Sequence, residues 1–128
     1  MNKRKILIID DDVAVSEFIK EMLESDGYSV VRVFDGLQAV QMARTISPDL
    51  IILDLNLPAG SGETVYERLK LSKFTGDIPV IFVTGETPDR IQKLSKEKNI
   101  PLKDIFLKPI DVDLFLNRVK TILDKKYV

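Results

Sequence analysis

Two kinds of hydrophobic pattern alternate along this chain. Short unbroken apolar runs, such as Ile6-Leu7-Ile8-Ile9 and Leu50-Ile51-Ile52-Leu53, are separated by stretches with apolar residues three or four positions apart. An unbroken aliphatic run of this length reads as a strand buried on both faces. The wider spacing reads as an amphipathic helix. The pattern predicts strands at 5–9, 29–34, 50–53, 79–84 and 104–107, and helices at 13–24, 37–46, 63–71, 88–98 and 112–124. In the first helix Val15, Phe18, Ile19, Met22 and Leu23 form the apolar stripe, opposite Glu17, Lys20, Glu21 and Glu24. In the last, Val112, Phe115, Leu116, Val119, Ile122 and Leu123 form it, and Leu114 lies outside it. Asp11 or Asp12, Thr87 with Pro88, and Asp111 suit helix starts, and Gly27 and Asn99 suit helix exits. The helix at 88–98 has only Ile91 and Leu94 clearly apolar, so it should be weakly anchored and mobile.

Alternation of strand and helix predicts an α/β fold, a doubly wound (βα)5 unit whose five-stranded parallel sheet is covered on both faces. Right-handed crossovers are expected to place the helices on alternate sides. In such sheets ligands bind at the carboxyl ends of the strands, where strand order reverses. For the flavodoxin-like order 2-1-3-4-5, that point lies between strands one and three.

Those two strands both end in aspartate. The first runs into Asp10-Asp11-Asp12 and the third into Asp54. Like charges 4 Å apart repel by roughly 1 kcal/mol in water and about 4 kcal/mol at an effective dielectric of 20. A cluster of such carboxylates should hold a cation, protonate or splay apart, and the cation is the reading taken. Thr84 ends the fourth strand and Lys108 follows the fifth, which adds a hydroxyl and an ammonium to the same edge.

Composition narrows the chemistry. At 128 residues the chain fits a single domain over 1–128. A net charge of −1 offers no basic footprint, so no direct nucleic-acid binding is expected. The apolar runs are strand-sized, so neither membrane insertion nor a signal peptide is expected, and the protein reads as cytoplasmic. Cysteine and histidine are both absent, which excludes thiol nucleophiles, Ser-His-Asp triads and Cys- or His-based zinc sites. The chain ends soon after the fifth helix, so no effector domain is expected within it.

Four segments, in order, resemble the receiver domains of two-component response regulators, the CheY-like superfamily. They are Ile8-Ile9-Asp10-Asp11, Leu53-Asp54-Leu55-Asn56-Leu57-Pro58 with Gly62, Val83-Thr84-Gly85, and Leu107-Lys108-Pro109. The resemblance covers essentially the whole chain. It implies that Asp54 accepts a phosphoryl group from a partner phosphohistidine, on a histidine kinase or a histidine phosphotransfer protein. It implies Mg²⁺, with Mn²⁺ as a substitute, bound by Asp11, Asp54 and the backbone carbonyl of Asn56, with Asp10 acting through a water. Lys108, the Thr84 hydroxyl and the Gly85 N–H would hold the phosphoryl oxygens. Asn56 and Glu86 would tune dephosphorylation, which their polar side chains should make fairly rapid. The Lys108-Pro109 bond is expected to be cis. Such a protein is a signalling module rather than an enzyme acting on other substrates. It would bind a downstream protein partner, as a monomer or a weak phosphorylation-dependent dimer. It could also be the receiver portion of a larger regulator or hybrid kinase.

Other readings fit less well. A calcium-binding EF-hand loop starting at Asp10 would need a ligand at Ala14 and a glycine at Val15. A flavodoxin-type phosphate loop would not carry three aspartates. A haloacid-dehalogenase-like phosphatase would use Asp10 and Asp12 and leave Asp54 without a role. Three features depart from the commoner receiver pattern. Ile105 occupies the usual aromatic switch position, and the neighbouring Phe106 should point to the opposite face and join the core. The approach to the fifth strand, through Pro101, lacks the usual Gly-Ala turn. Ser61 stands where many members have Asp.

Overall fold

A computed structural model describes residues 3–57 and 62–125. Pro58 and Ser61 lie outside the described residues. The elements run β1 (Lys5–Ile9), α1 (Val13–Ser25), β2 (Ser29–Val33), α2 (Gly36–Ile46), β3 (Leu50–Asp54), α3 (Gly62–Leu71), β4 (Val80–Thr84), α4 (Pro88–Lys98), β5 (Ile105–Leu107) and α5 (Val112–Lys125). A single 3-10 turn, Leu102–Asp104, leads into β5. All ten expected elements form, with boundaries moved by at most one residue.

The strands are parallel in the order β2-β1-β3-β4-β5. Every residue of β3 and β4 is buried, which accounts for their unbroken apolar sequences. The edge strand β5 is only partly covered. Side chains alternate between two cores. Ile6, Ile8, Leu50, Ile52, Ile81 and Val83 meet Ile19 and Leu23 of α1 and Phe115, Val119 and Leu123 of α5. Leu7, Ile9, Ile51, Leu53 and Phe82 meet Ala39 and Ala43 of α2, Val65 and Leu69 of α3, and Leu94 of α4.

The helices therefore do not alternate sides. α2, α3 and α4 share one face, and α1 and α5 share the other. The cause is the direction of travel across the sheet. The crossover from β1 to β2 runs one way, and every later crossover runs the other. A right-handed connection changes face only when that direction reverses.

Caps close most helix starts. Asp12, Asp35, Thr87 and Asp111 accept from the N–H groups of Val15, Gln38, Arg90 and Leu114 at 3.0–3.3 Å. Asn99 takes the left-handed conformation after α4 (φ 56°), and Gly27 has φ 95° after α1. Ser47 does the same after α2 (φ 48°), a role its sequence context did not signal.

Phe18 is not in the core. It is 52% exposed, while Ser16, Ile19 and Leu23 face inward. Two apolar stripes overlap on α1, and sheet packing selects the one that carries the small Ser16. That hydroxyl donates to the Val13 carbonyl and accepts from Arg32. Ile105 and Phe106 do point to opposite faces. Ile105 packs on the α2–α4 side, and Phe106 meets Phe115 edge-on at 5.4 Å on the other.

Candidate functional site

Register places the aspartates. Ile9 pairs with Leu53, so Asp10 and Asp54 fall side by side at the carboxyl ends of β1 and β3. Thr84 pairs with Leu107, so Lys108 leaves β5 next to Thr84, and its N–H donates to the Thr84 carbonyl at 2.8 Å. The turn into α5 passes through a cis Lys108-Pro109 bond.

Lys108 bridges the two strand ends. Its Nζ lies 3.1 Å from Asp10 Oδ2 and 3.2 Å from Asp54 Oδ2. Asp10, Asp54 and Thr84 are buried, whereas Asp11 is exposed. Each buried carboxylate has one oxygen held by backbone. Asp10 Oδ1 accepts from the Asp12 N–H and Asp54 Oδ1 from the Asn56 N–H, both at 2.9 Å. Asp10 Oδ2 is charge-paired with Lys108, yet among the described residues no donor reaches it with hydrogen-bond geometry. An ionised oxygen in that state is poorly compensated.

Burial pushes the Asp10 carboxyl up from 3.8 to about 6, and the Asp54 charge adds to the rise. The Asp12 N–H and the Lys108 ammonium oppose it. For Lys108, burial works against the ammonium, but the two carboxylates outweigh it and the net shift is upward.

Carboxylate oxygens of Asp10, Asp11 and Asp54 lie within 4.8 Å of one another, a group able to hold a metal ion. Three carboxylates, one with an oxygen that accepts no well-aligned hydrogen bond, match the all-oxygen preference of a hard divalent cation. The donor set therefore fits such an ion.

The Thr84 hydroxyl accepts from the Glu86 N–H at 3.1 Å and from the Asn56 side-chain amide at 3.4 Å. Its own proton is left to donate. Asn56 and Glu86 thus both touch Thr84, and with Glu63, Arg90, Ile91 and Leu94 they line a cavity of about 210 Å³ beside the site. A side chain at Gly85 would meet no protein atom, so packing alone does not demand glycine there.

Gly62 does have a steric reason. A Cβ there would come within 2.4 Å of the Asp54 carbonyl and 2.5 Å of Leu55 Cα. Its N–H donates to the Leu55 carbonyl at 3.0 Å, which ties the start of α3 to the end of β3. Sequence reasoning also passed over Glu63 and Arg90. They pair at 3.0 Å and join α3 to α4 at the rim of the site. No local pattern marks a pair separated by 27 positions.

The chain belongs to the response regulator receiver domain family, which it matches over residues 6–120. It is 41% identical over 121 residues to the DNA-binding dual master transcriptional regulator RpaA of Synechocystis, covering 93% of this chain and 48% of that one. It is 29% identical over 126 residues to sporulation initiation phosphotransferase F of Bacillus subtilis, covering 98% of both. The chain thus spans about half of the first relative and nearly all of the second. A solved CheY-like receiver domain protein from Methanospirillum hungatei superposes with a TM-score of 0.83 at 26% identity, over 97% of this chain and 96% of that one. The fold and family read from the sequence are those found. Among the described residues, no helix is long and apolar enough to cross a membrane.

Proposed function

We propose that the chain is the phospho-acceptor of a two-component system or phosphorelay, with Asp54 as the residue modified. The observation that carries this reading is the Lys108 bridge at a buried strand edge, with the ammonium 3.1 Å and 3.2 Å from the two carboxylates. A carboxylate can attack a phosphoryl group when the charge on its oxygens is neutralised and the approach is in line.

Asp54 sits at the open end of β3, and backbone holds one of its oxygens in place. As its carboxylate oxygen bonds to phosphorus, the phosphorus–nitrogen bond of the donor phosphohistidine breaks, and the imidazole leaves with that electron pair. Lys108 moves from Asp54 Oδ2 to a phosphoryl oxygen, and the Thr84 hydroxyl donates to another. The N–H of the exposed Gly85 would be a further donor. Asp10, Asp11 and Asp54 would hold Mg²⁺, with the Asn56 backbone carbonyl as a further oxygen donor, and Mn²⁺ could substitute. When bound, the ion supplies charge neutralisation of the transferring group. Glu86 and Asn56, next to Thr84, are placed to orient a water that later hydrolyses the aspartyl phosphate.

The donor would be a histidine kinase or a histidine phosphotransfer protein, and the output a protein contact. Ile105 stands where an aromatic would usually couple to Thr84, so transmission would run through aliphatic packing of β5 on α4. A phosphatase reading needs Asp12 as its acid, but that carboxylate caps α1 through the Val15 N–H at 3.0 Å. Incubation with acetyl phosphate and Mg²⁺, read by intact mass, tests the assignment. One added phosphoryl group, absent in Asp54→Asn, is expected. Phosphorylation that survives Asp54→Asn would overturn it.

A further inference from the structure

A second built surface lies on the α2 side, away from the aspartates. α2 lays Gly36, Ala39 and Ala43 against the sheet. The adjoining stripe of Leu37, Val40, Gln41, Arg44 and Thr45 walls a groove of about 650 Å³, and Phe74 forms its other wall. Leu37 is 73% exposed and Phe74 61%. These positions on α2 follow the three- and four-residue helical spacing, so they form one continuous stripe.

Phe74 is presented by a fixed turn. Its neighbour Thr75 is buried and donates its hydroxyl to the Leu69 carbonyl at 2.6 Å. The Lys70 ammonium donates to the Gly76 and Ile78 carbonyls at 3.1 and 3.0 Å. The Phe74 N–H donates to Ser72 Oγ at 3.2 Å. The exposed ring is therefore held outward at little further entropic cost to a binding partner.

The groove is also cationic. The Arg44 guanidinium lies 4.9 Å and the Lys73 ammonium 5.6 Å from the centre of the Phe74 ring. Other lysines and arginines, such as Lys20, Arg32, Arg90 and Arg118, form ion pairs, but among the described residues neither Arg44 nor Lys73 meets a carboxylate.

We propose that this groove docks an acidic segment of a partner protein. An aliphatic or aromatic side chain of that segment inserts against Leu37 and Phe74, and its carboxylates meet Arg44 and Lys73. A two-fold dimer through this face would gather Arg44 and Lys73 of both copies in one interface, which like-charge repulsion opposes. Two cations on a chain of net charge −1 are too few for a nucleic-acid surface. Phe74 lies in the connection entering β4, whereas Thr84 ends that strand, so the Phe74 wall of the groove and the Arg44 end of α2 sit at the sheet edge opposite the aspartates, while Leu37 at the start of α2 lies toward the carboxyl edge. The five residues of β4 span roughly 16 Å. The Phe74 and Arg44 end of the docking surface can thus be occupied independently of chemistry at Asp54.

A random dodecapeptide display library selected against the full chain tests this. Enriched peptides should combine several acidic residues with an aromatic or aliphatic one. Their Kd, measured by fluorescence anisotropy, should rise at least tenfold in Phe74→Ala and in Arg44→Glu, and about fivefold when salt increases from 50 to 300 mM. Both side chains are exposed, so each variant should keep the wild-type circular dichroism and wild-type labelling by acetyl phosphate. Failure to enrich any peptide, enrichment without acidic residues, or acidic peptides indifferent to both substitutions would each overturn the proposal. So would dimerisation abolished by Phe74→Ala, or tighter binding of a single-stranded dodecanucleotide.

Discussion

Replacing Asp10 by Asn should stabilise the metal-free protein. Asp10 is fully buried, its Oδ2 accepts no hydrogen bond among the described residues, and a second carboxylate lies beside it. A carboxyl raised from 3.8 to about 6 costs about 3 kcal/mol more to ionise in the fold than in the unfolded chain. The sign follows from linkage. The native state binds the extra proton between these two values, so this contribution favours the fold below pH 4, is lost as pH rises to about 6, and stays lost above that. Asn keeps the 2.9 Å bond from the Asp12 N–H, because its carbonyl can replace Oδ1. Its amide then faces the Lys108 ammonium, now 3.1 Å from Oδ2, and that donor–donor contact returns part of the gain. The net expectation at pH 7.5 is about 1–2 kcal/mol of added stability. This raises the urea midpoint by about 0.5–1 M for ordinary m-values.

Urea titrations of both proteins, with EDTA and with increasing Mg²⁺, read the effect. An ion bound only by the native wild type stabilises it by about 1.4 kcal/mol at ten times its dissociation constant. The variant lacks one of the clustered carboxylates and should gain much less. The gap between the two proteins should therefore narrow as Mg²⁺ increases. A variant less stable than wild type in EDTA at pH 7.5 would refute the reasoning, as would equal stabilisation of both proteins by Mg²⁺.

Other expectations are as direct. Lys108→Ala should abolish acetyl phosphate labelling within the time that saturates wild type, with a wild-type circular dichroism spectrum, as read by intact mass. Gly62→Ala should destabilise by about 2–3 kcal/mol in urea, because its Cβ must displace the Asp54 and Leu55 backbone. Glu86→Ala should lengthen the lifetime of the aspartyl phosphate several-fold, followed by loss of the phosphorylated mass after the donor is removed; an unchanged lifetime counts against its role in orienting water. Arg90→Ala breaks the pair with Glu63, and hydrogen exchange across α4 should then quicken by about two- to fivefold while α5 is unchanged.

Much of this molecule was legible from apolar runs because parallel strands buried on both faces admit little else. β3 and β4 are the clearest cases. Their carboxyl ends carry Asp54 and Thr84, so topology alone brought the candidate residues to one edge. The errors arose where two arrangements satisfy the same pattern. Phe18 and Ser16 lie on opposite flanks of the α1 stripe that Ile19 and Leu23 share, and only the sheet chooses between them. Helix sidedness depends on where the strand order reverses, which the alternation of elements does not encode. Asp10 and Asp11 are identical residues in sequence, but a strand turns one inward and leaves the other exposed. The Glu63–Arg90 pair and the Phe74 groove join distant segments, so no local spacing could reveal them.

Charge balance links these observations. At neutral pH the three clustered carboxylates and Lys108 carry a formal charge of minus two at one sheet edge. Lys108 cannot offset this alone, and the unsatisfied Asp10 oxygen shows where compensation is lacking. Binding a divalent cation would bring the cluster to neutrality. Phosphorylation of Asp54 would replace one negative charge by about two, so the modified site would again be in excess by one. The neutral donors already gathered there then matter most. Thr84 has a hydroxyl proton to give, and the N–H of the exposed Gly85 would be a second donor. The phosphoryl group would draw Thr84 away from the Glu86 N–H and the Asn56 amide, both of which line the cavity against α4. Charge added at Asp54 would thereby be converted into a rearrangement beside α4, whose buried anchors are Ile91 and Leu94.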